Sequence, residues 1–162
     1  MKILGIDPGL LNLGCVVIKI REGDFEILRA ETLKPKRNLG LSKKLFFLYR
    51  ILQEFIEKEC PDYIVLEEII PKANPQATVK LSQAQALILL ISEEKGIPFK
   101  LYHPSQWKAY LCGNGLANKE EVILALRRLF GEKFDDKIRD EHLADALALS
   151  LVFALENNLL RF

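Results

Sequence analysis

Ile3, Leu4 and Ile6 form a short apolar run that stops on Asp7-Pro8-Gly9. The pattern predicts a buried strand over residues 2–7 and then a tight turn, because proline cannot extend a central strand and glycine relaxes the backbone. Residues 13–20 predict a second strand and about 25–33 a third, joined across Glu22-Gly23-Asp24, whose composition suits a hairpin. Leu45, Leu48, Leu52, Phe55 and Ile56 then recur at three- and four-residue spacing, predicting a helix around 40–59 that stops before Pro61. Residues 62–68 predict a fourth strand that runs from apolar positions into Glu67 and Glu68. A loop with Pro71, Asn74 and Pro75 follows, then a helix over roughly 77–94 and a fifth strand over 97–102. A short helix at 104–111, a turn at Gly113-Asn114-Gly115 and helices near 118–130 and 140–157 complete the chain. Three hairpin-joined strands followed by alternating helices and strands predict an α/β protein: a mixed five-stranded sheet with helices on both faces.

The helix at 77–94 is apolar around most of its circumference, through Ala84, Ala86, Leu87, Ile88, Leu89, Leu90 and Ile91. One sheet face does not cover such a helix, so a second helix of the chain or a partner subunit must. At 162 residues the chain is expected to form one domain, 1–162, with a substantial core. No apolar stretch approaches the length of a membrane span, and the N-terminus lacks a signal-peptide pattern. Three cysteines suit a reducing compartment, with Cys15 in a strand, Cys60 at a helix end and Cys112 in a loop. The expected location is therefore cytoplasmic. A net charge of +1 neither demands nor excludes a nucleic-acid partner, since phosphate binding depends on where cations cluster.

The candidate chemistry lies in carboxylates from distant segments. Asp7 ends the first strand, and Glu67 and Glu68 end the fourth. If the two strands are parallel neighbours, their carboxyl ends share one sheet edge, where α/β folds place ligands. Strand alternation points Glu67 and Glu68 to opposite faces, so only one of them is expected to join Asp7. The last helix opens Asp140-Glu141-His142-Leu143-Ala144-Asp145, with His142 and Asp145 on one face. Asp140 and Glu141 suit the helix dipole, and His142 alone reads equally as packing residue or ligand. Asp145 sits more than a turn inside, among small and apolar residues, where a carboxylate needs a compensating charge. Ala144, Ala146 and Ala148 let that helix approach the sheet. An oxygen-rich set without thiolates selects a hard ion such as Mg²⁺ or Mn²⁺, and two such ions serve phosphoryl chemistry.

Five sequence blocks occur in order. They are Gly5-Ile6-Asp7-Pro8-Gly9 with Gly14; Leu66-Glu67-Glu68 with Lys72-Ala73-Asn74-Pro75; Leu81-Ser82-Gln83-Ala84; Ala117-Asn118-Lys119-Glu120; and His142-Leu143-Ala144-Asp145-Ala146-Leu147-Ala148. Together they closely resemble the RuvC family of Holliday-junction resolvases over nearly the whole chain. The resemblance implies a ribonuclease H-like fold, a homodimer and metal-dependent nicking of two opposed strands in a four-way DNA junction. It further implies a partnership with a RuvA–RuvB branch-migration complex. By that resemblance Asp7, Glu67, His142 and Asp145 are the catalytic and metal-binding residues, with Glu67 taken over Glu68. His142 stands where many members carry Asp, which implies a preference shifted toward Mn²⁺. Lys108 and Lys119 are expected to hold scissile-strand phosphates, and Lys72 and Asn74 to touch the DNA backbone. Ile70 replaces the aromatic residue some members stack on a base; it can wedge but offers no π-face. Rival readings are a related nuclease on structured RNA, a non-catalytic junction binder, and an actin-like nucleotide-binding module suggested by Asp7-Pro8-Gly9 with Gly14.

Overall fold

The computed structural model describes residues 1–71, 73–134 and 137–161, so Lys72 lies outside the described residues. Strands β1 (Lys2–Asp7), β2 (Leu13–Arg21) and β3 (Asp24–Leu33) make an antiparallel meander. Strands β4 (Tyr63–Glu67) and β5 (Phe99–Tyr102) join the other side of β1 in parallel, giving the order β3-β2-β1-β4-β5. Parallel neighbours need long crossovers, which helices α1 (Leu41–Glu59) and α2 (Pro75–Lys95) supply. Helices α3 (Pro104–Cys112) and α4 (Lys119–Phe130), a 3-10 turn (Gly131–Phe134) and α5 (Glu141–Glu156) follow.

Period-two alternation builds two cores. Leu4, Ile6, Cys15, Val17, Ile64 and Leu66 face one side, where Leu48, Leu52 and Phe55 of α1 and Ile88 and Ile91 of α2 cover them. Ile3, Val16, Ile18 and Val65 face the other, where α5 lies on the sheet and α3 and α4 pack beside it. α5 is therefore buried along most of its length, which explains why its sequence is apolar nearly all round. The expected five-stranded mixed sheet with helices on both faces is the observed architecture.

The differences from expectation lie at element ends. α2 starts at Pro75, not near 77, because the Asn74 side-chain oxygen accepts from the backbone N–H of Gln76 and Ala77 and proline suits the first helical position. β5 starts two residues late because Gly96 (φ 64°) closes α2 and the Ile97 N–H bonds back to the Ser92 carbonyl. Cys112 belongs to α3 and not to a loop, since the helix runs until Gly113 turns left-handed at φ 73°. α1 packs against α2 and covers part of its apolar circumference, while Val79 and Leu90 of α2 remain exposed. Among the described residues no helix is long and apolar enough to cross a membrane.

Candidate active site

Asp7 is the last residue of β1 and Glu67 the last of β4, and Ile6 lies beside Leu66 in the parallel ladder. Both carboxylates therefore reach the same sheet edge. Alternation also puts them on the same face, since Gly5 precedes Asp7 by two and Val65 precedes Glu67 by two, and both lie toward α5.

Two glycines decide how closely α5 approaches that face. A Cβ on Gly5 would lie 1.9 Å from the Ala146 carbonyl oxygen, and one on Gly14 2.5 Å from the His142 carbonyl oxygen. Any larger residue would hold the helix off the sheet. The helix start is pinned as well: Asp140 accepts from the Leu143 N–H at 2.9 Å and from the Thr32 hydroxyl of β3 at 2.7 Å. This depth and anchoring bring His142 Nδ1 to 2.7 Å from Asp7 Oδ2 across 135 residues of sequence.

Asp7, Glu67, His142 and Asp145 line one cavity of about 270 Å³, with Ile70, Lys108 and Lys119 on the same wall. Glu68 lines it too, against expectation: β4 ends at Glu67, so strand alternation no longer dictates where the next side chain points. Lys119 pairs with Glu141 at 2.6 Å, and Lys108 Nζ sits 5.5 Å from the centre of the Trp107 ring. Asn74 is absent from the cavity wall, its side-chain oxygen being taken up by the α2 cap. Trp107, which sequence reasoning passed over, donates its indole N–H to Glu67 Oε2 at 2.8 Å. The available signal was that a buried indole needs an acceptor.

The electrostatics follow from crowding acids away from water. Burial pushes the Asp7 carboxyl up more than its bond to His142 pulls it down, and that same bond raises His142. Burial, then repulsion from Asp7 and Glu67, pushes Asp145 up to about 7. The donor set, three carboxylates and an imidazole without a thiolate, fits a hard divalent cation, and its unfavourable negative charge is what such a cation relieves. Among the described residues no three His, Cys, Asp or Glu side chains are gathered into a ready coordination cluster. Asp7 and Glu67 each commit an oxygen to a protein donor instead.

A pH dependence follows for the metal-free protein. Asp7, Asp145 and His142 all hold their protons more tightly folded than unfolded, so folding binds protons and stability falls as pH rises. For Asp145 the window runs from its ordinary 3.8 to about 7. Thermal unfolding in a chelator should show a midpoint that drops between pH 5 and 7.5 more steeply in wild type than in Asp145→Asn. Parallel curves for the two proteins would rule out the crowded-acid description.

A model of the family described as crossover junction endodeoxyribonuclease RuvC matches residues 3–153. The RuvC of Syntrophomonas wolfei is 31% identical over 151 residues, covering 93% of this chain and 87% of that one. That of Brachyspira hyodysenteriae is 30% identical over 159 residues, covering 98% and 97%. Among solved structures, T. thermophilus RuvC in complex with a Holliday junction substrate superposes with a TM-score of 0.85 at 30% identity, over 98% of this chain and 95% of that one. The architecture is the ribonuclease H-like fold of these resolvases. With its motifs, sheet order and acidic cavity all in place, the chain belongs to the RuvC family of crossover junction endodeoxyribonucleases.

Proposed function

We infer that this chain is an endonuclease that resolves four-way DNA junctions, hydrolysing one phosphodiester in each of two opposed strands during recombination and repair. The observation that carries this reading is the single cavity shared by Asp7, Glu67, His142 and Asp145, from the beginning, middle and end of the chain, with Lys108 and Lys119 on its wall.

Asp7, Glu67, Asp145 and His142 are the residues that would hold divalent cations, two per site. When bound, Mg²⁺ or Mn²⁺ supplies Lewis acidity toward the phosphate and lowers the pKa of a bound water. Asp7 fixes the imidazole through Nδ1, which leaves Nε2 to serve either as a cation ligand or as the acceptor of a proton from the attacking water. Lys108 and Lys119 hold the scissile-strand phosphate and offset charge developing on it. To do so Lys119 exchanges its pairing with half-exposed Glu141 for the DNA, a cheap exchange because surface ion pairs contribute little. Ile70 borders the cavity and acts as an apolar wedge against the nucleotide beside the cut. Lys72 and Asn74 steer the neighbouring backbone.

A four-way junction has approximate two-fold symmetry, which a closed homodimer matches by presenting two equivalent sites. Val79 and Leu90, the apolar residues α1 leaves exposed on α2, belong to that self-interface. The enzyme works in the cytoplasm and hands over from a RuvA–RuvB branch-migration complex.

Incubation with a mobile four-way junction, a matched duplex and an RNA hairpin tests the reading. Paired nicks are expected in the junction alone and only with divalent metal, and the ratio of the rate in Mn²⁺ to that in Mg²⁺ should be higher in wild type than in His142→Asp. Cleavage of the hairpin with the junction left intact would reassign the substrate to RNA.

A further inference from the structure

Trp107 is the sole tryptophan of the chain and is fully buried. It sits on α3 and reaches across 40 residues of sequence to the end of β4, where its indole N–H meets Glu67 Oε2. The Glu67 backbone is held separately, its carbonyl oxygen accepting from the Gln85 side chain of α2 at 3.0 Å. Lys108 also lies near the ring, its ammonium 5.5 Å from the ring centre. One tightly packed aromatic ring thus touches a carboxylate and a lysine that line the same cavity.

We propose that Trp107 is a positioning residue, whose N–H sets the rotamer of Glu67 so that its carboxylate is presented to a divalent cation. The proposal rests on the reading of Glu67 as a metal-holding group. A glutamate at a strand end has three side-chain torsions to order, and ordering them in advance removes an entropy cost from cation binding. The indole suits the task because its own rotamer is fixed by complete burial and its single donor has one direction. A hydrogen bond to a carboxylate is charge-assisted, so it holds through thermal motion better than a neutral one. The ring beneath Lys108 gives that lysine an apolar and π-rich support.

The sole tryptophan also supplies its own reporter. In the intact, metal-free protein the single indole N–H cross-peak of a nitrogen-15 spectrum is expected to move on Mg²⁺ titration. Its midpoint should track the Mg²⁺ concentration that half-saturates junction cleavage. Trp107→Phe removes the N–H and keeps a ring beneath Lys108. Calorimetry should show its Mg²⁺ affinity weakened by about tenfold, the usual effect of losing a group that orients a metal ligand. Half-saturating Mg²⁺ for cleavage should rise by the same factor, with the rate at saturating Mg²⁺ and metal-free junction binding close to wild type. An indole resonance that stays put while wild-type cleavage saturates with Mg²⁺ overturns the proposal, even if the phenylalanine variant fails to fold. So does a folded variant with unchanged Mg²⁺ affinity. A wild-type protein that cuts no junction at any Mg²⁺ concentration overturns the reading of the site itself, and this proposal with it.

Discussion

Asp7→Asn is expected to slow junction cleavage on the order of a thousandfold, with junction binding in the absence of divalent metal at wild-type strength or tighter. Asparagine nearly matches aspartate in size, and its amide oxygen can still accept the His142 Nδ1–H, so the packing at the β1 end survives. What disappears is charge. Asp7 is both the partner that raises His142 and, after burial, the first source of repulsion that raises Asp145. Without it the set loses a cation-holding oxygen, and the imidazole loses the anion that steadies its protonated form. DNA binding moves the other way, because a buried acid beside the scissile phosphate opposes the approach of the backbone. Single-turnover cleavage of a labelled junction in Mg²⁺, with a mobility-shift titration in chelator, separates the two effects. Cleavage within tenfold of wild type would remove Asp7 from the active site.

Much of this arrangement was legible in the residues, for identifiable reasons. β1 could be read to its last residue because Pro8 and Gly9 stop it physically, and that fixed Asp7 at a carboxyl end. The spacing of His142 and Asp145 placed both on one helical face, and the alanines around them announced close packing. Glu67 and Glu68 were harder. The alternation rule holds only inside a strand, and β4 ends between them, so both border the cavity. The burial of α2 was ambiguous because it depends on α1 lying beside it, a tertiary fact with no periodic signature. Trp107 escaped notice because a lone aromatic in a short helix looks like ordinary core. Its acceptor lies 40 residues away and is adjacent only once β4 and α3 have packed. Asn74, which the family resemblance sets against the DNA backbone, has a local duty as well: its side-chain oxygen caps α2.

The largest structural effect is expected from Gly5→Ala, a single added methyl group. Gly5 lies mid-strand in β1, where glycine is ordinarily a weak choice. Its Cβ would fall 1.9 Å from the Ala146 carbonyl oxygen, a backbone atom that cannot rotate aside. Relief requires α5 to lift or β1 to bow, and both are held. β1 is central, bonded to β2 and β4, and α5 is buried against the sheet and tied to β3 through Asp140 and Thr32. Overpacking of this kind costs about 3 kcal/mol. In a chain of this size that lowers the unfolding midpoint by roughly 10 °C. Gly40→Ala is the control, since a Cβ there meets nothing within 4 Å, and it should cost no more than about 1 kcal/mol. The same displacement carries His142 and Asp145 away from Asp7 and Glu67. Because a shift of about 1 Å in a catalytic group lowers rates by roughly a hundredfold, cleavage by the still-folded fraction should fall with stability. Thermal unfolding and single-turnover cleavage on one preparation test both halves. A Gly5→Ala protein that melts with wild type and cuts at its rate would mean that the depth of α5 on the sheet does not set the geometry of the site.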